Sequence, residues 1–240
     1  NSLAMNQPAY SNPFVVVAEA PPTERSRFIR RTYAHLAAAI LAFVALEAIF
    51  LNSAIAPALI KSMVGTQYSW LIVLGLFMGV SWLAEYWANS GASRLLQYAG
   101  LALYVVAQAI IFIPILYVAA FYSSPEVIPM AAMITIGLFL GLTAVVVTTR
   151  IDFSFLRGAL AVGGFVALGT IVASIIFGFN LGTFFAGIMV LFAGAAILYS
   201  TANVFFHYRP DQYVAAALSL FASVALLFWY ILRIRLSFRR

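Results

Sequence analysis

Seven long apolar runs, each bounded by charge, proline or glycine, constrain this chain more than any other feature in it. They cover about residues 32–51, 69–88, 95–122, 127–149, 156–179, 182–206 and 212–232. A bilayer core about 30 Å thick is crossed by about 20 apolar residues in helical form, so every run is long enough to span. The runs are continuously apolar rather than alternating with period two, which excludes a membrane β-barrel and predicts an all-α membrane protein with seven transmembrane helices. Composition points the same way: 65% of the 240 residues are apolar, only 8% are charged, and the mean hydropathy is +1.03, where a soluble domain carries about a quarter of its residues charged. So few charges leave no face for nucleic acid. The net charge of +6 is therefore a topology mark, and the lipid bilayer is the first expected partner. With no cysteine in the chain, disulfides, thiolate metal sites and a cysteine nucleophile are all excluded.

Residues 1–31 read as a mobile N-terminal tail, punctuated by Pro8, Pro13, Pro21 and Pro22 and lacking the apolar core of a signal peptide. Asn1 to Ala4 read as an expression remnant ahead of Met5, the expected natural start. Residues 32–234 make the seven-helix domain and 235–240 a basic C-terminal tail. Arginines Arg25, Arg27, Arg30, Arg31, Arg94, Arg150, Arg157 and Arg209 fall before the first run or in the even loops, against Lys61 alone in the odd loops. This places the N-terminus in the cytoplasm, and twelve arginines against one lysine point to a GC-rich bacterial genome and so to a bacterial inner (plasma) membrane. Seven crossings carry Arg233, Arg235, Arg239 and Arg240 to the opposite side, which dilutes the asymmetry to eight against five.

Glycine pairs at four-residue spacing, Gly75 with Gly79, Gly137 with Gly141 and Gly178 with Gly182, are expected to be notches for close helix packing; lining a cavity is the other reading. No zinc-protease, nucleophile-elbow, phosphate-loop or dinucleotide motif occurs, so neither an enzyme nor a cofactor is expected. The two histidines, His35 and His207, fall near the cytoplasmic interface as half-solvated side chains. Within the apolar runs the acidic candidates are Glu47 and Glu85. Each is either a pathway residue, because a charge inside lipid costs about 3 kcal/mol, or a residue near enough to its helix end to reach water. A proton-coupled transporter would use one of them.

Three stretches have a recognisable form: FIRRTYAHL at 28–36, AAMITIGLFLGLTAVVVTTRIDFSFLRGAL at 131–160, and AALSLFASVALLFWYILRI at 216–234. On these the chain resembles the BAX inhibitor-one family, the transmembrane BAX-inhibitor-motif proteins, over about residues 28–234. The middle stretch is the most specific, with a threonine-rich helix end followed by a basic residue, an aspartate and an SFL turn. The resemblance implies six helices around a central seventh. It also implies a membrane leak channel for calcium or another cation, or a regulator, and in bacteria a possible membrane protease as partner.

One departure from the family pattern bears on mechanism. The family's hallmark is a pair of buried aspartates, ending an ILYD-type word in the sixth helix and an LYLD-type word in the seventh. Here the words read ILYS, ending at Ser200, and LFAS, ending at Ser223. Paired carboxylates couple their titrations and can sense pH and hold a cation; serine hydroxyls do neither strongly. No Lys or Arg falls in the second run to latch such a site. The expectation is a leak-type channel without the acidic pH sensor, with a non-conducting interaction protein as the alternative.

Overall fold

Inside a bilayer the peptide N–H and C=O groups have no water to bond, so a spanning chain must satisfy them within each helix. The computed structural model describes residues 15–66, 68–91 and 93–238, and among these lie eight helices and no strand: α1 (Pro22–Leu51), α2 (Ile55–Val64), α3 (Ser69–Ala88), α4 (Arg94–Phe121), α5 (Val127–Thr149), α6 (Leu156–Phe177), α7 (Gly182–Phe206) and α8 (Tyr213–Ser237). Seven are long and apolar enough to cross a membrane. The eighth, α2, is a ten-residue helix in the connection between the first two spans, where the sequence suggested only a loop. It is seated by buried Ala56 and Met63.

Both ends of the spanning domain differ from expectation. Helix α1 starts at Pro22, so residues 22–31 are its first three turns rather than tail. Pro22 sits in the first turn, where its missing N–H costs nothing, and Glu24 faces the positive end of the helix dipole. Phe28, Thr32, Leu36, Ala39, Phe43 and Glu47 then form one buried stripe at helical spacing. Residues 1–14 of the expected tail, including Asn1 to Ala4, lie outside the described residues. At the other end α8 runs to Ser237, and Arg239 and Arg240 lie outside the described residues.

Helix α8 is the hub. It is apolar on every side and buried along most of its length, with α1, α3, α4, α5 and α7 packed on it. Helix α6 packs on α7 and approaches the hub in a small satellite cluster of Ala167, Ala186, Met189 and Tyr230. Most of the α6 surface faces outward, as an outer-ring helix in lipid can.

Close packing uses a glycine the spacing pattern did not single out. A Cβ on Gly100 of α4 would lie 2.5 Å from the Ala84 carbonyl oxygen and 2.7 Å from the Ala88 nitrogen, so α3 and α4 approach backbone to backbone there. The expected notches at Gly75, Gly79, Gly137 and Gly141 have no neighbour within 4 Å of such a Cβ, and they sit on outward faces instead. Gly178 and Gly182 are helix-end residues with φ of 71° and 65°, a backbone shape that only glycine takes freely.

Candidate functional site

Ser200 is in the last two turns of α7, and Ser223 lies ten residues into α8, about 15 Å along its axis. The tight α7–α8 contact brings their hydroxyl oxygens to 2.9 Å, with both residues buried at 4% and 7% exposure. A third hydroxyl joins them. Ser219, one turn before Ser223 on the same face, donates to the Ser200 oxygen at 3.1 Å, and Ser223 donates to the Ser219 carbonyl at 3.0 Å. Each hydroxyl has a single proton, so Ser200 must donate to Ser223. Tyr208 lies next to Ser219. The serine network is directional: Ser219 to Ser200 to Ser223 and back to the Ser219 carbonyl.

Tyr208 lies in the α7–α8 connection. Burial pushes its phenol above the ordinary value; Ser219 works against this, and Tyr199 and Glu85 add to it. Its carbonyl accepts the Val17 N–H at 2.9 Å. Val17 is fully buried in the core cluster, which anchors the short segment from Val15 to Ala20 on this end of the bundle. The same end is tied laterally. The sequence word after α5 puts Arg150 in a left-handed conformation (φ 54°), and Asp152 accepts the Ser154 N–H at 2.9 Å while its other oxygen meets His207 Nε2 at 2.8 Å. Desolvation works to raise the Asp152 pKa, but the Ser154 backbone bond and then His207 outweigh it and hold the carboxyl below its usual range. His35 bonds to the Arg31 carbonyl at 2.7 Å and stacks on Tyr98, while Arg31 and Arg94 both lie over the Tyr213 ring. Arg31 in the third turn of α1 and Arg94 at the start of α4 thereby clasp the first turn of the hub helix.

Beyond the serines an aromatic layer crosses the bundle. Phe43 packs edge-on to Phe112 and Phe221, with centroids 5.1 and 6.1 Å away, and Phe112 meets Trp229 at 4.9 Å. Glu47 follows Phe43 by one turn on the same buried stripe of α1. It is 5% exposed, and neither carboxylate oxygen has a hydrogen-bond partner; it neither reaches an interface nor bonds to Asn, Ser or a backbone amide. Glu85 sits near the opposite end on an exposed face of α3. The two acids do not meet. The structure therefore brings Ser200 and Ser223 together and keeps Glu47 and Glu85 apart. Ser219 and Tyr208 escaped the sequence reading. Ser219 had a usable signal, its four-residue spacing from Ser223, whereas Tyr208 is placed by a loop.

Comparison with known proteins supplies the family. Residues 25–240 match the family described as "Inhibitor of apoptosis-promoting Bax1". The chain is 39% identical over 110 residues to an uncharacterized protein of Pseudomonas aeruginosa, covering 45% of this chain and 49% of that relative, about half its length. An uncharacterized protein of Pasteurella multocida is 31% identical over 157 residues, 64% of this chain and 68% of the relative. Bax inhibitor 1 of Schizosaccharomyces pombe is 29% identical over an alignment of 254 residues, covering 97% of this chain and 90% of the yeast protein. A match that runs from the first turn of α1 through the hub helix, on a seven-span bundle centred on α8, makes this chain a member of the Bax1 inhibitor family of integral membrane proteins.

Proposed function

We propose that the protein is not an enzyme but a calcium-leak-type channel of a bacterial inner membrane, with its N-terminus in the cytoplasm and with hydroxyls in place of an acidic sensor. The observation that carries this reading is the buried hydroxyl network on α7 and α8, at the two positions where the family resemblance has its aspartates. Each serine oxygen keeps a lone pair after its network bonds are made, enough for weak, transient coordination of a passing cation. On the far side of the aromatic layer, Glu47 offers two acceptor oxygens that nothing in the bundle satisfies. A passing cation, a proton or water would complete them. On this reading the closure points are the buried Val17 segment at one end and the packed Phe43, Phe112 and Phe221 rings in the middle.

Hydroxyls do not titrate in the physiological range, so once Glu47→Gln removes the buried carboxyl from the path, calcium flux into dye-loaded liposomes should be the same within about twofold from pH 6 to pH 8. Ser200→Asp with Ser223→Asp restores a coupled acidic pair and should make the flux pH-dependent over that interval. A flux through the Glu47→Gln protein that switches sharply in this interval overturns the hydroxyl mechanism. No flux in either protein favours a non-conducting role, in which the sealed bundle modulates a partner such as a membrane protease. Co-purification from native membranes reads out that second role.

A further inference from the structure

The end of the bundle away from the N-terminus holds a half-open cavity of about 1050 Å³ among α2, α3, α4, α7 and α8. A second cavity of about 430 Å³ shares Trp70, Asn180 and Arg233 with the first and continues along α6. Helices α3 and α6 are not packed on one another, so the joined cavities reach the lipid-facing side of the ring. Arg233 is at the junction and, among the described residues, is the one charged residue lining either cavity. Among the described residues it has no carboxylate partner. Trp70 and Trp229 stack beside it with centroids 6.3 Å apart, and Pro114, Ile115 and Val118 give the larger cavity an apolar wall.

An uncompensated guanidinium at the membrane interface, flanked by two indoles and an apolar channel open to lipid, has the chemistry of an amphiphile site. The guanidinium matches a phosphate in shape and charge, tryptophans belong at headgroup depth, and the apolar wall suits an acyl chain. The same feature gives one of the four arginines that weaken the charge asymmetry a use. Arg233 lies at the end opposite the arginines that precede α1, where topology gives a basic residue no use. We propose that this cavity binds one anionic phospholipid of the leaflet at that end, with its phosphate on Arg233 and an acyl chain leaving between α3 and α6. The site is independent of ion passage.

The test uses the full chain in neutral detergent, stripped of lipid and then given phosphatidylglycerol, phosphatidylcholine with the same chains, or inorganic phosphate. Native mass spectrometry counts retained lipid and thermal unfolding reports binding. Phosphatidylglycerol should be retained at one molecule per chain and raise Tm by about 5 °C at a hundredfold excess over Kd. Arg233→Gln should weaken retention about tenfold, Arg233→Lys should keep part of it, and Arg157→Gln, a basic residue at the other end, should keep all of it. The helical circular dichroism of each variant establishes that it is folded. Equal retention by Arg233→Gln, or equal retention of phosphatidylcholine, overturns the proposal. A Tm rise with inorganic phosphate that matches phosphatidylglycerol also overturns it, because the ligand would then be a free anion.

Discussion

Single side chains at the cytoplasm-facing end of the proposed topology show how a sequence word becomes a tie between loops. Asp152 is the acid of the distinctive turn after α5, and its partner His207 belongs to a different connection 55 residues away. Because the folded-state pKa of Asp152 is depressed, its contribution is complete above the ordinary carboxylate value of about 4 and is lost as pH falls through the lower folded value. Both side chains are more than two-fifths exposed, so solvent screening limits the pair to about 0.5 kcal/mol. Asp152→Asn should lower Tm by about 1–2 °C at pH 7, and the gap from wild type should close as pH falls through the depressed folded value. A gap that persists there would show that the carboxylate charge is not what ties the loops. The serine pair was legible as two residues because their words align with the family's. Its third member, Ser219, was not, since a hydrogen-bond network depends on which faces meet.

Elements pack by contacts that spacing alone does not identify. Small residues four apart occur in several helices, yet the α3–α4 seam is made by Gly100 against Ala84 and Ala88, while Gly137 and Gly141 face outward. Periodicity shows that a helix has a small-residue face but not which way that face is turned. Gly100→Ala would push a methyl group into backbone atoms and should destabilise the bundle by about 1–3 kcal/mol, whereas Gly141→Ala should change stability by less than about 0.5 kcal/mol. Thermal unfolding in detergent distinguishes them; equal effects would refute the packing argument. The Val15–Ala20 segment makes a second prediction at this scale. Burying a charge at Val17 is costly, so Val17→Asp should lift the segment while the spans stay folded, and raise ion flux several-fold. Unchanged flux with the segment newly open to protease would remove its part in closure.

At the scale of the whole molecule, seven crossings put the two ends of the chain on opposite sides, a conclusion at odds with a strict reading of the arginine count. The chain has no cysteine, so one introduced thiol reports one position. Glu19→Cys and Arg157→Cys should label from one face of sealed vesicles, and Lys61→Cys and Phe238→Cys from the other. Phe238→Cys labelling together with Glu19→Cys would mean that α8 does not cross. By itself, the sequence determined the solvent, the element type and the number of spans. Apolar run length against a fixed hydrocarbon thickness is a local quantity, and in lipid it leaves the backbone no alternative to helix. Only the tertiary structure decided which helix is the hub, that Ser200 and Ser223 meet while Glu47 and Glu85 do not, and that Gly100 rather than the spaced pairs forms the notch. Those outcomes follow from the rotation of each helix about its own axis, which near-uniform apolarity leaves unmarked in the sequence and which packing against neighbours sets.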